Sequence, residues 1–115
     1  MVRLTTEIWV QALCRRVLSS GEFAAVVKRG AKEAGAIHII HHLRSGLGSL
    51  YSPVPQMFAP ESDSDSRIFE QTIFRENSSQ ISEKLSRETA FDPDCWIVEL
   101  EVRNVGDYVT VVTLD

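Results

Sequence analysis

Three histidines, His38, His41 and His42, crowd one short segment of the chain. Imidazole is a common metal ligand, so the spacing decides whether these rings can converge. The segment Ala36 to Leu43 alternates as a strand. Ile37, Ile39, His41 and Leu43 fall on one face, and His38, Ile40 and His42 on the other. Cα atoms four residues apart on a strand lie roughly 13 Å apart. Zinc holds its nitrogen ligands at about 2 Å. A helix would bring His38 and His42 to i, i+4, but the glycines before the segment and its alternation favour the strand. No metal site is assigned, and the histidines are expected at the surface.

Carboxylates are the next candidates. Asp63 and Asp65, with Glu61 nearby, have the spacing of a calcium loop but lack its glycine and distal glutamate. They are read as part of a solvated acidic loop over 56–66. Five carboxylates occur between Arg87 and Glu101, and Glu99 and Glu101 share a strand face about 6–7 Å apart. Such a pair can do acid–base work. Cross-strand pairing with a cation is the simpler reading, and Asp92-Pro93-Asp94 suits a turn.

Nucleophiles are poorly supported. Cys14 lies on the apolar flank of a helix, and Cys95 follows Asp92 and Asp94, whose charge disfavours a thiolate. No GxSxG elbow is present. Gly46-x-Gly48 lies between strands and opens no helix, so it is no phosphate cradle. Neither a catalytic residue nor a cofactor is assigned, and the balance leans away from an enzyme. The candidate ligand or partner contacts are Arg15, Arg16, Arg87, Glu88, Asp92 and Asp94. Between two helices and a strand, the arginines could hold an anion while a carboxylate acts as base. A weaker reading places nucleic acid on Arg15, Arg16, Lys28, Arg29 and Lys32.

These residues need elements to hold them. Residues 5–20 read as a helix, with Thr5 and Thr6 as caps, Glu7 in the first turn and an apolar stripe through Ile8, Trp9, Ala12, Leu13, Val17 and Leu18. Strands are expected at 23–28, 36–43, 49–54 and 67–75. The last has Phe69 and Ile73 on one face and Ile68 and Phe74 on the other. Gly30 and Gly35 bracket a turn. A short amphipathic helix over 79–89 follows the capping cluster at Asn77, Ser78 and Ser79, and Pro93 ends it. The strand 95–103 alternates Trp96, Val98 and Leu100 against Ile97, Glu99 and Glu101.

The element order is α-β-β-β-β-α-β-β. It predicts an α+β fold: one compact domain over 1–115, with a mostly antiparallel sheet of about five to six strands. An N-terminal helix and a second short helix pack on that sheet. Residues 104–115 are expected as a C-terminal hairpin strand or tail. Trp9, Leu13, Val17, Leu85, Trp96, Val98 and Leu100 are the expected core.

The chain has 115 residues, 43% apolar and 24% charged, with a formal charge of −4. That balance fits a globular domain and makes nucleic acid an unlikely partner. Two cysteines do not make a disulfide scaffold, and no apolar run reaches the about 20 residues of a membrane span. The cytoplasm is the expected location. A homo-oligomer or a protein partner, and no membrane, is the expected association.

Arg87-Glu88-x-x-Phe91-Asp92-Pro93-Asp94-x-Trp96-Ile97-Val98-Glu99-x-Glu101 is the most distinctive stretch. With Leu4-Thr5-x-x-Ile8-Trp9-Val10-x-Ala12-Leu13-x-Arg15-Arg16, it resembles the alphaproteobacterial domain-of-unknown-function family numbered 1491. The resemblance runs from Arg3 to about Glu101 and includes Gly30, Ala34-Gly35-Ala36 and Leu50-Tyr51. The tail from Asn104 is read as an extension. The family implies a bacterial, cytoplasmic, single-domain protein and carries over no catalytic role. A small interaction or scaffold domain is the leading expectation for function. A small-ligand binder or enzyme built on the Arg/carboxylate cluster is the alternative.

Overall fold

The computed structural model describes residues 4–54 and 67–113. The acidic segment expected as an exposed loop, 56–66, lies outside the described residues. Helix α1 spans Thr6–Ser19, and the Thr5 hydroxyl caps it by accepting from the Ile8 N–H at 3.3 Å. Its buried ridge is Val10, Leu13 and Val17, at i, i+3 and i+7. Ile8 and Leu18, expected on the buried stripe, are instead 50% and 52% exposed.

Six strands follow: β1 (Phe23–Lys28), β2 (Ile37–His42), β3 (Gly48–Pro53), β4 (Ile68–Glu76), β5 (Trp96–Glu101) and β6 (Thr110–Val111). Helix α2 spans Ser78–Phe91 between β4 and β5, capped by the Asn77 side chain at the Gln80 N–H. The strands lie in the order β1-β5-β2-β3-β4-β6. The β1–β5, β2–β3 and β3–β4 pairs are antiparallel, and of these only β2–β3 has the short connection from which such pairing was expected, since β5 separates β1 from β2. The β2–β5 and β4–β6 pairs are parallel, so the sheet is mixed. The cause of the β2–β5 pairing is α2. It carries the chain past β3 and β2 before β5 enters the sheet between β1 and β2.

Alternation sends side chains of each strand to two opposite faces. On one face, Val10, Leu13 and Val17 of α1 pack against Ile37, Ile39, Phe69, Trp96, Val98 and Leu100. On the other, Ile81 and Leu85 of α2 pack against Ile40, Leu50 and Ile97. The sheet thus separates the helices. Burying each large apolar side chain contributes about 1.5–3 kcal/mol. Strand β4 departs from simple alternation. Its register with β3 shifts twice, and Arg75 takes a positive φ of 49°. The extra residues turn Ile73 toward the α2 core, while Phe69 faces α1, so the two do not share a face as expected.

After β5 the chain crosses on the α1 side, where Val102, Val105 and Val109 join the first core. A 3-10 turn at Val105–Asp107 is capped by the Asn104 side chain at the Gly106 N–H. Strand β6 then pairs with β4 rather than folding back as a hairpin on β5.

Candidate functional site

Arg15 and Arg16 lie on α1 and Arg87 and Glu88 on α2, on opposite sides of the sheet. The six residues expected to converge therefore do not form one cluster. Arg16 donates to the Tyr108 carbonyl and lies over that ring. Arg87 and Glu83, and Lys84 and Glu88, are exposed or half-exposed i, i+4 pairs on α2. The Asp92 carboxylate accepts from the Asp94 N–H at 3.2 Å, which makes it a turn residue. The Asp94 carbonyl accepts from the Ala31 N–H.

Two of the three histidines are buried, against the expectation of surface rings. His38 Nδ1 lies 3.0 Å from the Ser52 hydroxyl, and His41 Nε2 lies 2.7 Å from the Val102 carbonyl. Burial pushes the His38 pKa down, because a charged imidazole would lose its hydration. His42 Nε2 pairs with Glu99 at 3.0 Å, the cross-strand contact that accounts for one of the two paired glutamates. Among the described residues, no group of three or more His, Cys, Asp or Glu is placed to hold a metal ion.

What α1 does form is a groove with the sheet edge. Its ridge packs with Ala24 of β1 in the first core, and the flank bearing Gln11, Cys14, Arg15 and Leu18 lines the groove beside that strand. Val26 on β1 and Trp96 on β5 lie across from that flank, and Arg29 closes the end. The groove holds about 680 Å³. Arg29 pairs with Glu7 and lies 5.0 Å from the Trp96 ring centroid. Arg15 is exposed and has no ion pair or hydrogen bond among the described residues. Partial burial pushes the Cys14 thiol pKa up, which weakens it as a nucleophile. The arrangement is suited to holding an apolar surface with a nearby anion, not to covalent chemistry.

Strand β1 is also the sheet's outer strand on this side. Its register with β5 shifts between Val26 and Lys28, making Val27 a bulge. Lys28 turns inward and donates to the carbonyls of Pro93 and Cys95, each at 2.7 Å. A second, polar cleft of about 440 Å³ lies on the other flank of α1, between Arg16 and the Gly106–Thr110 segment. Tyr108 closes it structurally, donating its hydroxyl to Glu22.

Sequence reasoning grouped Arg15 with Arg29 only in the weaker nucleic-acid reading, and did not place Leu18, Val26 or Trp96 beside them. A signal was present. Val10, Leu13 and Val17 form a complete buried ridge, which leaves Ile8 and Leu18 surplus to the core.

The fold and groove define a small α+β domain with one helix on each face of a mixed sheet. The chain belongs to DUF1491, a family described as proteins of unknown function, whose model matches residues 4–110. It is similar to the solution structure of protein Atu0922 from A. tumefaciens, at 42% identity and TM-score 0.84. That match covers 99% of this chain and 98% of that one. It is also similar to the crystal structure of a DUF1491 family protein from Caulobacter crescentus, at 29% identity and TM-score 0.75, covering 99% and 100%. No curated protein matches. The family match reaches residue 110, so the segment from Asn104 to Thr110, expected as an extension, lies within the family pattern. Among the described residues, no helix is long and apolar enough to cross a membrane.

Proposed function

We propose that this chain is a non-catalytic cytoplasmic interaction domain that receives a segment of another protein in the groove between α1 and β1. One observation carries the reading. Leu18 and Val26 stay exposed beside the Trp96 ring, next to a sheet edge with no neighbouring strand among the described residues. Contiguous exposed apolar surface next to an open edge is what peptide-binding domains use. The alternative, a ligand site or enzyme built on Arg15, Arg16, Arg87, Glu88, Asp92 and Asp94, has less support because the sheet divides those residues.

The test places a photo-cross-linking residue at Leu18 and, as a control, at the exposed Phe74 of β4 in bacterial host cells. A discrete adduct with another protein from position 18 and none from position 74 is expected. Light scattering at two concentrations separates self-association from partner binding. A strict monomer without a position-18 adduct overturns the reading.

A further inference from the structure

We infer that the segment received in this groove is extended and acidic, and that it adds to β1 as a new edge strand. The inference rests on the interaction reading and names the chemistry of its occupant.

The first argument is the edge itself. Among the described residues, strand β1 pairs only with β5. The outward backbone groups of Phe23 to Val27 meet no partner among the described residues. Natural edges are blunted by charge, by proline or by cover. Phe23, Ala24, Ala25, Val26 and Val27 carry neither charge nor proline, and the nearest cation, Lys28, is turned in to two carbonyls. Among the described residues the Val27 bulge is the only protection, and it leaves Phe23 to Val26 in regular register. Backbone pairing over so short a stretch gives little selectivity, so neighbouring side chains decide what binds.

The second argument is charge. A strand laid along β1 points alternate side chains to the α1 side, level with Val26, Leu18 and Trp96. Arg15 and Arg29 stand over that side, and Glu7 is the carboxylate paired there. The chain as a whole carries −4, so this cationic rim runs against its own average. Arginine forms bidentate bonds with carboxylates, which Arg15 is free to make. A second copy fits less well. Arg29 is compensated by Glu7, but antiparallel pairing of two β1 edges puts both copies of Arg15 on the same face of the joined sheet, where like charges repel.

The probes are two blocked peptides of about eight residues, one alternating valine with glutamate and the other valine with lysine. Each is titrated into the isotope-labelled chain and followed by amide shifts. The glutamate peptide is expected to move the Phe23–Val27 amides and the Arg15 side chain, and to bind roughly tenfold tighter than the lysine peptide. Arg15→Glu is expected to remove that preference while leaving the melting temperature unchanged, since Arg15 is exposed and has no ion pair among the described residues. Equal binding of both peptides, shifts away from β1, no shifts, or a dimer joined through β1 each overturns the inference. If the position-18 adduct forms while these peptides fail, the interaction reading stands and the acidic strand does not.

Discussion

The indole Nε1–H of Trp96 donates to the Ala31 carbonyl at 2.7 Å and ties the first residue of β5 to the loop after β1. The joint is double-sided. The Ala31 N–H donates to the Asp94 carbonyl at 2.9 Å, and the Trp96 N–H to the Ala36 carbonyl at 2.7 Å. The Asp92-Pro93-Asp94-x-Trp96 run thus forms a structural clasp. Trp96→Phe keeps most of the buried bulk but leaves the Ala31 carbonyl without its donor. A loss of about 1–3 kcal/mol is expected in urea unfolding. Trp96→Ala is expected to cost about 3–5 kcal/mol through the cavity it opens.

The same clasp explains two glycines. A Cβ on Gly30 would sit 2.1 Å from the Asp94 carbonyl oxygen, and one on Gly35 would sit 2.5 Å from that atom. Both obstacles are backbone and cannot rotate away. Gly30→Ala is expected to destabilise by about 3 kcal/mol or more, and Gly35→Ala somewhat less. Gly106→Ala is the control. Its Cβ would meet nothing closer than the Asn104 side chain at 3.4 Å, and a change within about 0.5 kcal/mol is expected. Comparable melting temperatures for Gly30→Ala and Gly106→Ala would refute the clasp.

Most elements were legible because their signals are local. The Thr5 and Asn77 caps and the 95–103 alternation each announce themselves within a few residues. What the residues hid depends on distant partners. The parallel β2–β5 pairing is set by where α2 delivers the chain, which no spacing encodes. The face of Ile73 depends on bulges that arise only against β3. Arg15 and Arg87 were expected to converge as anion-holding cations, yet a sheet stands between them. His38 and His41 looked like surface groups until Ser52 and Val102 supplied buried partners.

His38 gives the stability curve an acid limb. Burial pushes its pKa below the ordinary 6.5, Lys84 adds to this, and the carboxylates of Glu88 and Asp92 oppose it. The folded chain therefore binds this proton less tightly than the unfolded chain. The stability tied to neutral His38 is present above the unfolded pKa and is lost as pH falls below it. His38→Gln keeps a polar group near Ser52 but cannot titrate. Its unfolding free energy is expected to vary less steeply than wild type as pH drops through that window. Parallel curves for the two proteins would rule out His38 as the cause.

Tyr108 makes a second pH signature. Its hydroxyl donates to the Glu22 carboxylate, and the Arg103 N–H donates to the same carboxylate at 2.7 Å. Both bonds favour the charged form and hold the Glu22 pKa below its ordinary value, the Tyr108 bond most strongly. A depressed carboxyl contributes stability above its unfolded pKa and loses it as pH falls through the folded one. Tyr108→Phe is expected to move the Glu22 carboxyl back up toward the ordinary range in a carbon-detected titration. An unchanged Glu22 value would mean that the tyrosine bond does not form in solution.

The division of the arginines makes the last prediction. Arg15 overlooks the groove, whereas Arg87 is exposed on α2 and lies 3.9 Å from Glu83. If one anionic ligand bridged them, removing either would weaken binding and the two losses would not add. With the sheet between them, the expected pattern is different. Arg15→Ala weakens capture of the position-18 cross-linked partner, and Arg87→Ala leaves it at wild-type level. The double variant then matches Arg15→Ala alone, and neither change shifts the melting temperature by more than the small amount typical of exposed side chains. A matching loss from Arg87→Ala would put binding on the α2 side of the sheet and displace the groove as the working surface.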